Sequence, residues 1–266
     1  MDNTEKILIL TPVKDAELSL ETYFKLLEQL TYPHHLISLA FLESDSIDQT
    51  YKELKKRLPQ LNQKFDSANL WKKDYGFRIP EGMPRWALKI QVQRRTILAK
   101  SRNQLLFHAL NEQDWVLWID VDVIEYPPDI IERFLNTGKV IVHPHCVKKY
   151  GGNSFDLNAW RDKGKRYMHD LRKEGDLVKI HGVGGTMLFI KADIHREGLV
   201  FPPFLYGNQS KLIRHDNYFS GTKGIEWLLS KKYKGEIETE GLGMMAYDMG
   251  YECWGMPNLE IIHKDA

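Results

Sequence analysis

Eight consecutive residues, Trp115-Val-Leu-Trp-Ile-Asp120-Val-Asp122, constrain this chain more than any other stretch. The first five have the apolar density of a β-strand covered on both faces, and strand positions two apart face the same side. The run therefore reads as a buried strand whose end presents Asp120 and Asp122 together to a cleft. Such a pair suits a hard divalent cation, Mg²⁺ or Mn²⁺, which takes few protein carboxylates and completes its shell with water and substrate phosphates. The expected ligand is a diphosphate. An isolated Asp-x-Asp carries little weight, because acidic residues also cap helices and form turns. Here the context adds to it. Tyr126-Pro-Pro-Asp-Ile-Ile-Glu-Arg-Phe-Leu predicts a helix with proline near its first turn and Gly138 as its stop, and strand, acidic loop and helix is the layout of a ligand site on an open α/β sheet.

The same unit recurs upstream. Lys6 to Thr11 is an apolar strand breaking into the turn Pro12-Val13-Lys14-Asp15, and Leu20, Tyr23, Phe24, Leu27 and Leu30 follow at helical spacing. Leu36 to Leu42 is a second strand ending in Glu43-Ser-Asp45-Ser46, with Ser46 and Gln49 as a capping box for a helix to about Leu58. Alternating strands and helices predict a largely parallel sheet. Residues 66–89 lose periodicity and read as a long loop or an insertion, functional or mobile. Gln91 to Leu110 is a basic helix, and Val140 to Val147 a further strand. Lys148 to Lys179 reads as a solvated segment or flap, with an acceptor or membrane-surface lip as the alternative. Gly182 to Thr186 is a glycine turn entering a strand, and the tail predicts a helix over 241–250 followed by two strands, the second ending at His263.

A chain of 266 residues with 42% hydrophobic content fits one soluble α/β domain. Lys plus Arg (37) nearly balance Asp plus Glu (36), which removes any global electrostatic case for nucleic acid. The sequence shows no signal-peptide-like or membrane-spanning run, so the expectation is cytoplasmic. Cys146 and Cys253 are expected as reduced thiols. His143 and His145 share a strand face, but with no third ligand nearby they are expected as ordinary core or surface histidines.

Several short motifs, in order, resemble the fungal Golgi α-1,6-mannosyltransferases, the mannan-polymerase type of GT-A glycosyltransferase (glycosyltransferase family 62). They are Thr11-Pro-Val-Lys-Asp15, Ser101-Arg-Asn103, Trp115 to Asp122 with Pro127-Pro128, Gly182-Val-Gly-Gly-Thr186, Glu238-Thr-Glu240-Gly241, and Trp254-Gly-Met-Pro-Asn258 with His263. The resemblance implies a GT-A-like (Rossmann-like) α/β fold, a mixed, mainly parallel sheet flanked by helices. It would be one domain over 1–266, with a nucleotide-binding half at 1–125 and an acceptor-binding half at 126–266. It also implies a retaining, metal-dependent transfer of mannose from GDP-mannose to a glycan or glycolipid hydroxyl, with Mn²⁺ (or Mg²⁺) as the ion and a peripheral membrane contact as a possible partner surface. No counterpart of the family's amino-terminal membrane anchor is expected in this sequence.

The candidate residues follow. Asp120 and Asp122 would hold the ion that stabilises the leaving diphosphate, with His263, matching the family's late histidine, as a further ligand. Thr11, Pro12, Val13 and Asp15, with Glu43 and Asp45, stand after the first two strands, where such sheets place base and ribose; capping is the competing role for the acids. Arg102 would assist the phosphates, against an exposed helix charge, and Asn103 belongs to the same motif. Gly184 and Gly185 would let backbone approach the donor sugar or acceptor, against an ordinary turn. Glu240 would face the acceptor hydroxyl or donor sugar, against simple placement at a helix start. A nucleotidyltransferase using the same acids and a non-catalytic subunit of a transferase are the rival functions.

Overall fold

The computed structural model describes residues 4–84, 87–162, 164–214 and 235–264. The lysine-rich 208–234 stretch falls mostly outside them.

Four strands, β1 (Ile7–Val13), β2 (Ile37–Glu43), β3 (Ser67–Lys72) and β4 (Trp115–Ile119), lie parallel in the order β3-β2-β1-β4. The sheet continues through strands of the second half: β10 (Met187–Lys191), antiparallel to β4, then β6 (Ile141–Val147), β11 (Cys253–His263) and β5 (Val123–Glu125). A short β9 (Val178–Ile180) also pairs with β11, and β7 (Trp160–Arg161) pairs antiparallel with β8 (Arg166–Tyr167) in a separate small sheet. The result is a mixed sheet shared by both halves of the sequence.

Strand alternation sorts the core into two layers. Ile7, Ile9, Leu39, Phe41, Leu117 and Ile119 point to the side covered by helices α1 (Leu20–Glu28), α2 (Thr50–Lys64) and α4 (Ile130–Asn136). Leu8, Leu10, Ala40, Leu42, Val116 and Trp118 point to the side covered by α3 (Leu88–Ala109). A sheet apolar on both faces needs helices on both, which is why β1, β2 and β4 read as continuous apolar runs.

Local expectations failed in four places. Residues 67–72 form edge strand β3, although its half-exposed Ser-Ala-Asn-Leu-Trp-Lys lacks an apolar run. The capping box at Ser46 does not form. Ser46 Oγ instead accepts from the Asp15 amide (3.0 Å), while Asp48 caps Thr50 at the helix start. Helix α2 continues past Pro59 to Lys64, held by buried Leu61 and Phe65. The two expected terminal strands are one, β11, whose register shifts between Met256 and Glu260 at Pro257, a residue with no N–H to donate.

Cys146 and Cys253 are unpaired and buried. No helix among the described residues is long and apolar enough to cross a membrane.

Candidate active site

Beyond the carboxyl ends of β1, β2 and β4 lies an open cavity of about 330 Å³. Its walls are the β1 turn (Pro12, Val13, Lys14, Asp15), the β2 loop (Ser44, Asp45), Phe77 and Ile79 from the aperiodic loop, one face of α3 (Arg94, Ile97, Leu98, Ser101, Arg102), and Asp120 to Asp122. A cavity of this size at the open edge of an α/β sheet is where such folds bind small ligands.

The two aspartates are not on the strand. Strand β4 ends at Ile119, and Asp120 and Asp122 occupy a turn closed by Val123 N–H to the Asp120 carbonyl (3.2 Å). The Asp120 amide donates to the Thr186 carbonyl (2.9 Å), and the Lys264 amide donates to the Asp122 carbonyl (2.9 Å). The turn is thus tied on one side to the glycine loop and on the other to the last strand.

That last tie places His263. Strand β11 pairs with β5, setting His263 opposite Val123, one residue after Asp122. The buried ring stacks on Phe155 (centroids 4.0 Å apart), its Nδ1 meets the Lys264 carbonyl at 2.6 Å, and its Nε2 stands 3.0 Å from Asp122 Oδ1. Burial alone would lower the histidine's pKa, but the hydrogen bond and charge of Asp122 more than offset it, and the pKa is raised.

Asp120 faces the other way. Its Oδ1 accepts from Arg102 Nη2 at 2.9 Å. Desolvation pushes its carboxyl up to about 6 and the charge of Asp122 adds to the rise, while Arg102 and His263 oppose it. Among the described residues no three His, Cys, Asp or Glu side chains are already gathered as a metal cage. Asp122 and His263 form a close pair, while Asp120, held by Arg102, lies near enough for the charges of both to act on it.

Arg102 corrects its expectation. It is buried rather than exposed. It donates to Asp120, to Glu238 Oε1 (Nε, 3.0 Å) and to the Gly185 carbonyl (3.2 Å), and its guanidinium lies against the rings of Trp118 and Phe201. These contacts hold Asp120 in place, while Nη1, on a residue that lines the cavity, has no hydrogen-bond partner among the described residues. Asn103 is a brace, bonded both ways to the backbone of Phe201 (2.7 and 2.9 Å).

Other expected ligand contacts are also occupied by protein. Thr11 is fully buried, its hydroxyl on Tyr23 (2.6 Å). Glu43 is buried too, accepting from the Ser46 amide (2.9 Å) with Lys72 at 3.4 Å. Asp15 and Asp45 do line the cavity, both with positive φ (47° and 55°), which aspartate tolerates better than most residues. Their carboxylates bind backbone: Asp15 the Ile47 amide (2.8 Å), Asp45 the Tyr75 and Gly76 amides (2.9 and 2.8 Å). All three acids brace loops, and Asp15 and Asp45 do so from the cavity wall.

The glycines make room for side chains of the protein itself. A Cβ on Gly184 would stand 2.0 Å from Asp156 Oδ2, and one on Gly185 would stand 2.5 Å from Arg102 Nη2. Glu240 is held by Arg95 Nη1 (2.7 Å) on one oxygen and by the indole N–H of Trp160 on the other. His143 and His145 are fully buried core residues; His145 bridges the Pro257 carbonyl and Ser154.

Sequence reasoning missed Phe155, Asp156 and Trp160. All three come from the 148–179 segment read as a solvated flap, yet Trp160 is only 3% exposed and Asp156 8%. The available signal was the set of apolar and aromatic residues among the charges. It also missed Glu238, buried with φ 61° and paired to Arg102.

A family model described as Anp1 matches residues 1–174 and 163–205 of this chain. The mannan polymerase II complex anp1 subunit of Schizosaccharomyces pombe is 29% identical over 97% of this chain and 64% of its own length. Mannan polymerase complex subunit MNN9 of Candida albicans is 26% identical over 99% of this chain and 76% of its own length. The chain thus spans about two thirds of the first relative and three quarters of the second. Among solved structures, the mannosyltransferase PcManGT from Pyrobaculum calidifontis, in complex with GDP-Man and Mn²⁺, aligns with a TM-score of 0.56 at 13% identity, covering 98% of this chain and 57% of that one. GalNAc-T7, with UDP, GalNAc and Mn²⁺, aligns at 0.53 and 13%, covering 99% and 44%. At such identity the likeness is one of fold, that of the GT-A glycosyltransferases.

Proposed function

The chain belongs to the Anp1 family, and from that premise we propose that it is a metal-dependent glycosyltransferase, moving mannose from GDP-mannose to a hydroxyl of a glycan or glycolipid with retention of configuration. One observation carries the reading: Asp122, on the wall of the cavity, faces the buried His263 at 3.0 Å. With Nδ1 donating to the Lys264 carbonyl, a neutral His263 has only a lone pair on Nε2, so two acceptors would meet unless a proton or a cation lies between them. Imidazole nitrogen and carboxylate oxygen suit Mn²⁺, and a site with few protein ligands leaves coordination positions for phosphate and water. The residues therefore fit such an ion, with Asp122 and His263 holding it and Asp120 beside them. When bound, it would supply Lewis-acid compensation for the charge of the departing diphosphate.

The chain's own groups take the remaining roles. Lys14 and Arg94 on the cavity wall add positive charge for the phosphates. The Pro12 to Asp15 turn, Ser44 and Asp45, with Phe77 and Ile79, would enclose the nucleoside, placing donor recognition mainly in residues 1–125. The acceptor would then meet residues 126–266. Arg102 keeps Asp120 oriented and its charge compensated. Glu240, each oxygen engaged by one donor, is a carboxylate fixed in place, and in the retaining reaction proposed the leaving phosphate oxygen takes the acceptor's proton.

A thermal-shift series with GDP, GDP-mannose, UDP and UDP-sugars, with and without Mn²⁺, tests donor and metal together, since a ligand that binds only the native state raises its melting temperature. GDP and GDP-mannose are expected to give the largest shifts, and only with Mn²⁺. Mannosyl product from a glycan acceptor should keep the α configuration. A clear preference for UDP-glucose or UDP-galactose overturns the donor, and unchanged turnover in excess EDTA overturns the metal. Because the curated relatives are subunits of complexes, tight GDP-mannose binding without turnover would instead assign a non-catalytic, donor-binding subunit.

A further inference from the structure

Two adjacent residues of the segment between β6 and β9 reach the site from different sides. The Phe155 ring stacks on His263 at 4.0 Å between centroids, and the Phe155 amide donates to the Cys146 carbonyl of β6 at 2.8 Å. Next to it, Asp156 Oδ2 accepts from the Gly185 amide (2.9 Å), the Thr186 amide (3.3 Å) and the Thr186 hydroxyl (3.1 Å). The loop so held passes the constraint on: the Thr186 carbonyl takes the Asp120 amide (2.9 Å), and the Gly185 carbonyl takes Arg102 Nη2 (3.2 Å), the nitrogen that also holds Asp120 Oδ1.

We propose that Phe155 and Asp156 are positioning residues: one dipeptide sets the Asp120–Asp122 turn through the Gly185-Thr186 loop and sets the His263 ring by stacking, so that a cation binds between two elements held in register. The inference rests on the metal-dependent reading above and extends it to residues that touch neither ion nor donor. A buried carboxylate accepting two amides and a hydroxyl holds its loop more firmly than a neutral acceptor would, since hydrogen bonds to a charged group are about twice as strong. The loop also cannot move toward Asp156 freely, because Gly184 already lies against it without room for a Cβ. Groups that orient metal ligands from behind typically change metal affinity by about 10–100-fold when removed.

The test uses the full chain and Mn²⁺ itself. Asp156→Ala is expected to weaken Mn²⁺ binding, followed by electron paramagnetic resonance, by about tenfold or more. Asp156→Asn, which keeps a neutral acceptor, should recover part of that loss. In the metal-free protein, amide hydrogen exchange at Asp120 and Thr186 should quicken in the alanine variant and return toward wild type in the asparagine variant. Phe155→Leu should change the nuclear Overhauser contacts of the His263 ring with its neighbours and weaken Mn²⁺ severalfold; this arm decides if Asp156→Ala does not fold. Wild-type exchange at Asp120 and Thr186 in Asp156→Ala, or unchanged Mn²⁺ affinity in both Asp156→Ala and Phe155→Leu, overturns the proposal. If the wild-type chain binds neither Mn²⁺ nor GDP, the functional reading fails, while the exchange and resonance arms still decide whether the dipeptide positions the turn and the ring.

Discussion

His263 Nε2 lies 3.0 Å from Asp122 Oδ1, although 141 positions separate them in the chain, because β11 pairs with β5 immediately after the acidic turn. Here the apolar Leu259, Ile261 and Ile262 pin the strand in the sheet, and the imidazole is buried between Asp122 and Phe155.

Removing either partner should therefore act on metal binding. His263→Ala and Asp122→Ala are each expected to lower Mn²⁺ affinity and turnover by about tenfold or more, with melting temperature read alongside. Wild-type Mn²⁺ dependence in both variants would leave the pair as an ordinary ion pair of the sheet edge.

Arg102 makes a different prediction, because it is a buried cation between two carboxylates. Arg102→Ala removes the cation that holds Asp120 and leaves Glu238 with Arg95, 3.7 Å away, as its remaining cation, and breaking a buried pair in this way typically costs about 3–5 kcal/mol. Arg102→Lys should recover only part of this, since one ammonium cannot reproduce the forked contacts to Asp120, Glu238 and the Gly185 carbonyl. Chemical denaturation measures the effect. An Arg102→Ala protein as stable as wild type, but weak only in donor binding, would return Arg102 to the phosphate role.

The framework was legible in the sequence where a single physical constraint acts locally. Apolar runs between helical patterns gave β1, β2 and β4, and the acidic end of β4 marked the cavity. What remained hidden depends on long-range partners. Nothing local to Asp156 shows that it will meet Gly185 and Thr186, or that Glu238 will adopt a positive φ to reach Arg102. The roles of Glu43 and Asp45 turned on loop amides whose positions only the folded chain defines. The 148–179 segment looked solvated because its charges dominate, yet Asp156, Ala159, Trp160, Met168 and Leu171 are buried and Phe155 packs on His263.

Acid should destabilise the fold through its buried neutral histidines. Desolvation lowers His195 to about 4, and its Nδ1 donates to the Leu199 carbonyl at 2.7 Å. Its folded pKa lies below the ordinary 6.5, so the unfolded chain binds the proton first. Stability is intact above about pH 6.5 and falls as pH drops toward 4, by about 1.4 kcal/mol per unit for this one group. His195→Asn, which offers a donor near the Nδ1 position without titrating, should flatten the decline in melting temperature between pH 7 and pH 5 relative to wild type. An equally steep decline in the variant would place the acid sensitivity elsewhere.

Gly184 offers the sharpest steric test of the loop behind the site. Its Cα faces Asp156 and His143 so closely that an added Cβ would stand 2.0 Å from Asp156 Oδ2 and 2.6 Å from His143 Nε2, both on buried, packed side chains. Gly138, by contrast, has a φ of 62° at the end of α4 with open space where a Cβ would go, so alanine there meets backbone strain alone. Overpacking a tight interior typically costs about 1–3 kcal/mol or more, while a single left-handed alanine costs about 1–2 kcal/mol. Gly184→Ala should also push Asp156 off the Gly185 and Thr186 amides, and so disturb Asp120. The expected result is a drop in melting temperature for both variants but a loss of Mn²⁺ affinity only for Gly184→Ala. Equal Mn²⁺ binding in the two would show that the loop tolerates the shift without passing it to the acidic turn.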